Sequence, residues 1–230
     1  MHTPKMLCVR VVIPLGFMCI LKASIAAPPP LWNVPNSDGL QKFQQARFGL
    51  FVHFGPVTQW GDEISFPLAC EVLPCKVQGP NRTEITITTE FELATHREAY
   101  ASLANTFNPA SINLTAMADL AWEAGMRYVT WIVVHCDGFT NYDSKLTSYK
   151  ITETPYGKDL FAEVKSAFGE RGHRVGAYYC PSVWNRDDYW APNASTALGG
   201  CCKPSYTPGD QPSTWDSFLQ YFHGQLKEIA

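Results

Sequence analysis

Three stretches of this 230-residue chain close apolar runs with groups that can both give and take hydrogen bonds. Phe48-Gly-Leu-Phe-Val-His-Phe-Gly55 carries His53 near its end, Tyr128 to Val134 runs straight into His135, Cys136 and Asp137, and Arg174 to Tyr179 ends on Tyr178 and Tyr179. Imidazole and phenol at the carboxyl end of a strand are placed like ligand contacts, because each offers a donor and an acceptor at fixed geometry. His53, His135, Cys136 and Asp137 could instead hold a zinc ion, for which His and Cys are suitable ligands. Each residue also has a plainer reading. A lone His-x-Asp closes many strands as a polar turn, and His53 could be a core histidine bonded to backbone. Convergence of the three strand ends on one rim is what would make them a site.

The elements that must position these groups are legible in the pattern. Tyr128 to Val134 is an unbroken apolar and β-branched run, the signature of a strand buried on both faces in a parallel sheet. In the first strand, alternation sends Phe51 and His53 to one side and Leu50, Val52 and Phe54 to the other. Gly39 to Arg47 could form a short helix. His96 to Asn105 has helical spacing, and a clearer helix begins at a cap on Asn113 or Thr115, with Leu114, Met117, Leu120, Ala121 and Ala124 on one face and Gly125 at its end. Asp159 can cap a helix over Leu160 to Phe168, and a last helix runs from about Ser213 to Ile229. Pro56 to Ala94 reads as a long excursion with the close pair Cys70 and Cys75 and an alternating tract, Thr83 to Thr89, that suits a small hairpin. Trp60, Asp62 and Glu63 at its start either overhang a site or sit on the surface. Strand and helix alternate with a long loop after each strand, which predicts parallel βα units. Polar strand ends without a Gly-rich phosphate loop favour an α/β fold of the (β/α)8 TIM-barrel type, about its first three βα units, over a doubly wound sheet.

The N-terminus reads differently. Lys5 and Arg10 precede the apolar run Val11 to Leu21, and Ser24-Ile25-Ala26 supplies the small residues of a signal-peptidase site. Residues 1–26 are expected to be a signal peptide and 27–38 a Pro-rich linker into a domain over 39–230. The apolar run holds Pro14 and Gly16 and falls well short of the ~20 residues that span a bilayer, so no membrane association is expected after cleavage. Cleavage removes Lys5, Arg10 and Lys22 and no acid, which takes a chain of net charge −3 three units further from any nucleic-acid binder. Sequons at Asn81, Asn113 and Asn193 fit an exported glycoprotein, extracellular or lysosomal. Cys8 and Cys19 leave with the leader. Cys70, Cys75, Cys136, Cys180, Cys201 and Cys202 remain, an even set that suggests disulfides, and no CxxC pair offers a cysteine zinc site.

In order and spacing the three strand segments resemble those of the α-L-fucosidases of glycoside hydrolase family 29. The first is similar to that family's FG-[IL]-F-[IV]-HWG strand. Val134-His-Cys-Asp-Gly-Phe139 with Tyr142-Asp-Ser-Lys145 looks like its KHHDGF…WDSK segment, and Gly176-Ala-Tyr-Tyr-Cys180 is similar to its GLY-[YH]-S strand. The resemblance covers about residues 40 to 230 and implies a (β/α) barrel that hydrolyses terminal α-L-fucosyl bonds of glycoconjugates with retention, without cofactor or metal. It accounts for the histidines without zinc. His53, His135 and Tyr178 then correspond to positions that hydrogen-bond fucose hydroxyls. Phe51, on the strand face of His53, is the candidate wall for the 6-methyl group or, equally, barrel core. Cys136 stands where the family has its second His, and Phe54 where it has Trp. Trp60 and Glu63 are stand-ins for its EWY segment. Cys136 and Cys180 end consecutive strands, so barrel adjacency suggests a disulfide between them.

Retention requires two carboxylates about 5–5.5 Å apart. In the family they follow the fourth strand and later ones, so no catalytic residue is assigned here and both are expected beyond Ala230. Asp137 and Asp143 match positions that are not catalytic carboxylates and are expected to brace loops. The alternative to part of an enzyme is a non-catalytic fucose-binding module. Three strands with free edges should also be poorly stable alone. The leader makes a direct prediction. N-terminal sequencing of the exported protein should begin at Ala27, and an exported chain that keeps Met1 would overturn it.

Overall fold

The computed structural model describes residues 37–70, 73–186, 188–189 and 212–230. The chain divides into two compact units, residues 1–41 and 42–230, and the second holds the elements that matter below. Its architecture is mixed α/β. Strands β1 (Gly49–Val52), β4 (Tyr128–Val134) and β5 (Arg174–Tyr179) form one parallel sheet in the order β1-β4-β5, while β2 (Cys75–Gln78) and β3 (Glu84–Ile87) form a separate antiparallel hairpin. The helices are α1 (Ser37–Ala46), α2 (Glu90–Ser102), α3 (Leu114–Glu123), α4 (Leu160–Glu170) and α5 (Pro212–Ile229). The α1 helix starts two residues before the expected domain boundary, so Ser37 and Asp38 are helical rather than linker. The expected leader, residues 27–36 of the linker, Asn193, Cys201 and Cys202 lie outside the described residues.

The central strand β4 is buried because both of its faces are covered. Val129, Trp131, Val133 and Val134 pack with Ala118 and Ala121 of α3 and with Leu160, Val164 and Phe168 of α4. Ile132 points the other way, into a cluster with Val57, Ile64, Leu68 and Tyr100. Parallel register sets Phe51 beside Thr130 and Thr130 beside Gly176, and one step on it sets Ile132 beside Tyr178. The register then slips. Val134, not Val133, stands opposite Tyr179, which is a bulge in β4. Both Val133 and Val134 therefore face the helices, and the alternation resumes one residue late.

Side-chain caps fix where the helices begin. The Thr89 hydroxyl accepts from the Glu92 N–H at 3.2 Å, and the Glu92 carboxylate accepts from the Thr89 N–H at 3.1 Å, a capping box. It starts α2 at Glu90, six residues before the His96 start that apolar spacing predicts. Asn113 Oδ1 accepts from the Ala116 N–H at 2.9 Å, which makes Asn113 rather than Thr115 the cap of α3, and Asp159 Oδ1 accepts from the Ala162 N–H at 2.8 Å, as the sequence predicts for α4. The excursion after β1 holds the hairpin and a Cys70–Cys75 disulfide, and Cys70, Val77, Ile87 and Leu93 give it a small core of its own. Asn81 and Asn113 are both exposed. Among the described residues no helix is long and apolar enough to cross a membrane.

The far end of the chain is tied to the loop after β4. Glu228 of α5 accepts from the Ser144 hydroxyl at 2.7 Å, the Lys145 N–H at 2.8 Å and the Tyr142 hydroxyl at 3.1 Å. Gln225, fully buried, accepts from the Tyr179 hydroxyl at 2.6 Å. The same loop turns sharply at Gly138, whose φ of 77° is left-handed and where an added Cβ would lie 2.1 Å from Asn185 Oδ1. Gly138→Ala should therefore cost about 2 kcal/mol in urea denaturation, through the left-handed backbone and the displaced amide. Pairing it with Asn185→Ala should recover part of that loss. A single variant within 0.5 kcal/mol of the parent, roughly the error of neutral surface changes, would count against this account of the turn.

Candidate functional site

Four rings meet at the carboxyl ends of the three parallel strands. His53, His135 and Tyr178 form a near-equilateral triangle with centroid separations of 5.9, 5.9 and 6.0 Å, and the His135 and Tyr178 rings are stacked at 25°. Phe51 joins them, 4.4 Å from His53 and 5.4 Å from Tyr178, and 51% of its surface is exposed. The alternation read from β1 accounts for Phe51 and His53. His135 joins them for a different reason. Strict alternation from Ile132 would turn it toward the helices, and the slip at Val133 and Val134 returns it to the face of Tyr178.

A buried chain of hydrogen bonds holds His135. Its Nδ1 lies 2.7 Å from the Ser65 hydroxyl, which accepts the Asp137 N–H at 2.9 Å. The hydroxyl keeps its proton and a second lone pair for the imidazole, so this contact fixes the orientation of the ring in either neutral tautomer. The Ser65 N–H donates to the Tyr100 hydroxyl at 3.0 Å, and Tyr100 donates to Asp137 Oδ2 at 2.7 Å. Ser65 sits at a left-handed φ of 66°, which a non-glycine residue adopts only when its surroundings enforce it. Burial, reinforced by His53, pushes the His135 imidazole down from its ordinary 6.5 to about 4. The ring is thus neutral across the mildly acidic to neutral range, and able to donate and accept at once.

The carboxylates here brace the loop. Asp137 is 2% exposed, and its oxygens take the Tyr100 hydroxyl and, at 3.1 Å, the Phe139 N–H. Burial lifts it to about 6 against those hydrogen bonds. Asp143 takes Lys145, Lys150 and Thr152, which hold its carboxyl well below the usual range. Among the described residues no three His, Cys, Asp or Glu side chains converge as a metal centre would need.

The other sequence candidates fall elsewhere. Trp60 packs against His96 and Tyr100, at 5.6 and 5.8 Å, and supports the residue that holds Asp137. Glu63 is exposed, its N–H on Asp62 Oδ1 at 2.7 Å, and no contact among the described residues joins it to the four rings. Cys136 is 7% exposed, its sulfur 2.7 Å from that of Cys180, so it faces its neighbouring strand rather than the open rim. No disulfide joins the two in this structure, where barrel adjacency suggests one. Ser65 and Tyr100 were not singled out by the sequence. Nothing local marks them, because they reach His135 and Asp137 across 70 and 37 residues.

This arrangement can be set against known proteins. The family model for alpha-L-fucosidase matches residues 27–230. The chain belongs to the α-L-fucosidase family. Tissue alpha-L-fucosidase of Rattus norvegicus is 28% identical over 180 residues, which cover 74% of this chain and 37% of that protein. Alpha-L-fucosidase 1 of Arabidopsis thaliana is 25% identical over 168 residues, 70% of this chain and 25% of its own length. Among solved structures, α-L-fucosidase isoenzyme 1 of Paenibacillus thiaminolyticus superposes with a TM-score of 0.58 at 28% identity, covering 84% of this chain and 40% of that one. The Lactobacillus casei α-L-fucosidase in complex with its α-L-fucose product gives 0.58 at 25%, over 84% and 58%. The chain thus spans between a quarter and 37% of the length of these two curated fucosidases.

The electrostatics of the rim can be checked directly. In a proton NMR titration the His135 ring should change state near pH 4, and His53→Gln should move that midpoint upward by removing the second cause of its depression. A midpoint near the ordinary 6.5 in the intact chain would overturn the burial assigned to it.

Proposed function

We propose that this chain forms the sugar-binding side of a retaining α-L-fucosidase, with terminal α-L-fucosyl groups of glycoconjugates as substrate. The observation that carries the reading is the triangle of His53, His135 and Tyr178 at the ends of three parallel strands, with Phe51 on the same face. Neutral imidazole and phenol match a ring of hydroxyls that each need a donor and an acceptor. The half-exposed Phe51 supplies an apolar contact for the 6-methyl group, the feature that separates fucose from its hydroxylated parent sugar. In this reading residues 39–230 are the first three βα units of a (β/α)8 barrel, consistent with the β1-β4-β5 order and with the fucosidase structures that superpose on it. The two carboxylates that retention requires belong to other parts of the protein. The reaction needs no cofactor, and neither nucleic acid nor membrane is a partner.

Export supports the same reading. The family match begins at Ala27, where the expected signal peptide ends. Asn81 and Asn113 are exposed as glycosylation requires, with Asn193 the third expected site, and Cys70–Cys75 is a disulfide. Together they support a location in the secretory pathway, outside the cell or in the lysosome.

The test is a calorimetric titration of L-fucose into the exported chain. Fucose should bind, L-galactose should bind more weakly because its extra hydroxyl meets Phe51, and His53→Ala or Tyr178→Phe should each weaken fucose roughly tenfold, the worth of one net hydrogen bond. Unchanged affinity in both variants, or no saturable fucose signal, would sink the proposal. Turnover of nitrophenyl α-L-fucoside by residues 27–230 alone, abolished by His53→Ala, would show that the carboxylate pair lies within this segment after all.

A further inference from the structure

We propose that Cys136 and Cys180 are a modification site, closing into a disulfide that clasps the carboxyl ends of β4 and β5 directly behind the ring cluster. Their sulfurs stand 2.7 Å apart, about 0.7 Å beyond an S–S bond of ~2.05 Å. The backbone already brings them there. The Cys180 N–H donates to the Val134 carbonyl at 3.0 Å, which extends the β4–β5 ladder one residue past Tyr179, and the Cys136 carbonyl accepts the Trp184 N–H at 2.7 Å. Neighbouring strands run ~4.8 Å apart, inside the ~4.4–6.8 Å Cα range of disulfides, so closure needs a rotation of side chains and no movement of strands. The bulge in β4 matters again, because it brings the residues after Val134 level with the end of β5.

The chemistry balances with a glutathione or protein disulfide as the oxidant. Cys180 is the attacking sulfur, since the Cys136 hydrogen bond and then Ser182 and Tyr178 bring its thiol down to about 7 despite burial. Its thiolate breaks the oxidant's S–S bond to form a mixed disulfide, and one thiol leaves. Cys136 gives up its proton and attacks the Cys180 sulfur, forming the Cys136–Cys180 bond and expelling the second thiol. Two protein thiols lose two electrons, and one disulfide becomes two thiols. Cys70–Cys75 is a disulfide in the same chain, which suits a compartment where such oxidants act.

Closure would act on the rim through Tyr178. Tyr178 stands two residues before Cys180 at the end of β5, opposite Ile132 of β4. Oxidation ties the ends of β4 and β5 together and so restrains Tyr178 relative to His135. This consequence, unlike the disulfide itself, rests on the fucose-binding reading.

Two measurements test it. The exported chain, alkylated under denaturing conditions without reductant and then digested, should yield the Cys136 and Cys180 peptides joined and two hydrogens lighter than the free pair. Recovery of both as alkylated thiols, or of either joined to Cys201 or Cys202, overturns the proposal. Calorimetry with L-fucose should then show the Cys136→Ser/Cys180→Ser double variant binding at least threefold more weakly than the parent. Equal affinity overturns the coupling to the rim. Absence of fucose binding in both proteins would reject the fucose reading and the coupling together, while the cross-linked peptide would stand by itself.

Discussion

The slip of register at Val133 and Val134 is the constraint on which the site depends. A strand with period two cannot place Ile132 and His135 on the same face, because they are three residues apart. The bulge spends one residue on the helix side, where both valines are fully buried, and so turns the imidazole back toward Tyr178. The stability of that arrangement comes from the apolar side of the sheet. Trp131, Val133 and Val134 pack on α3 and α4, and straightening the strand would expose one valine and bury a polar ring among apolar ones.

Directly behind the rings lies a polar network that would be costly if any member were missing. Tyr100, Ser65, Asp137 and His135 come from α2, from the excursion and from the end of β4, and all but His135 are almost wholly buried. Such a network specifies geometry only when every donor and acceptor is matched. This gives the long excursion after β1 a structural task. It presents Ser65 in a left-handed conformation, where the N–H meets Tyr100 and the hydroxyl meets His135 and the Asp137 N–H.

What the sequence makes legible follows from the range of the forces involved. The β1 face, the caps at Asn113 and Asp159 and the order of the βα units rest on spacing within one element, and they stand in the structure as read. The start of α2 was also written locally, in Thr89-x-x-Glu92, but apolar periodicity points to His96 instead. The bulge leaves no mark in Tyr128 to Val134, since every residue there is apolar or β-branched whichever face it takes. Tyr142-Asp-Ser-Lys145 was legible as a family likeness and silent about its work, which is to receive Glu228 across more than 80 residues of chain. Its position in the loop lets Trp60 either overhang a site or sit on the surface, and in the structure it packs against Tyr100 instead.

The two buried ionisable groups of the network oppose each other in their response to acid. His135 is depressed from 6.5 to about 4, so between those values the unfolded chain binds a proton that the folded chain does not, and its contribution to stability is lost as the pH falls. Asp137 is raised from 3.8 to about 6, so over nearly the same window the folded chain holds a proton that the unfolded chain has released, and its contribution is lost as the pH rises. The slopes have opposite signs and nearly cancel between about pH 4 and 6. A rim that replaced either group alone would titrate its fold across this range. With both present, the imidazole stays neutral at mildly acidic pH without the loop behind it coming loose.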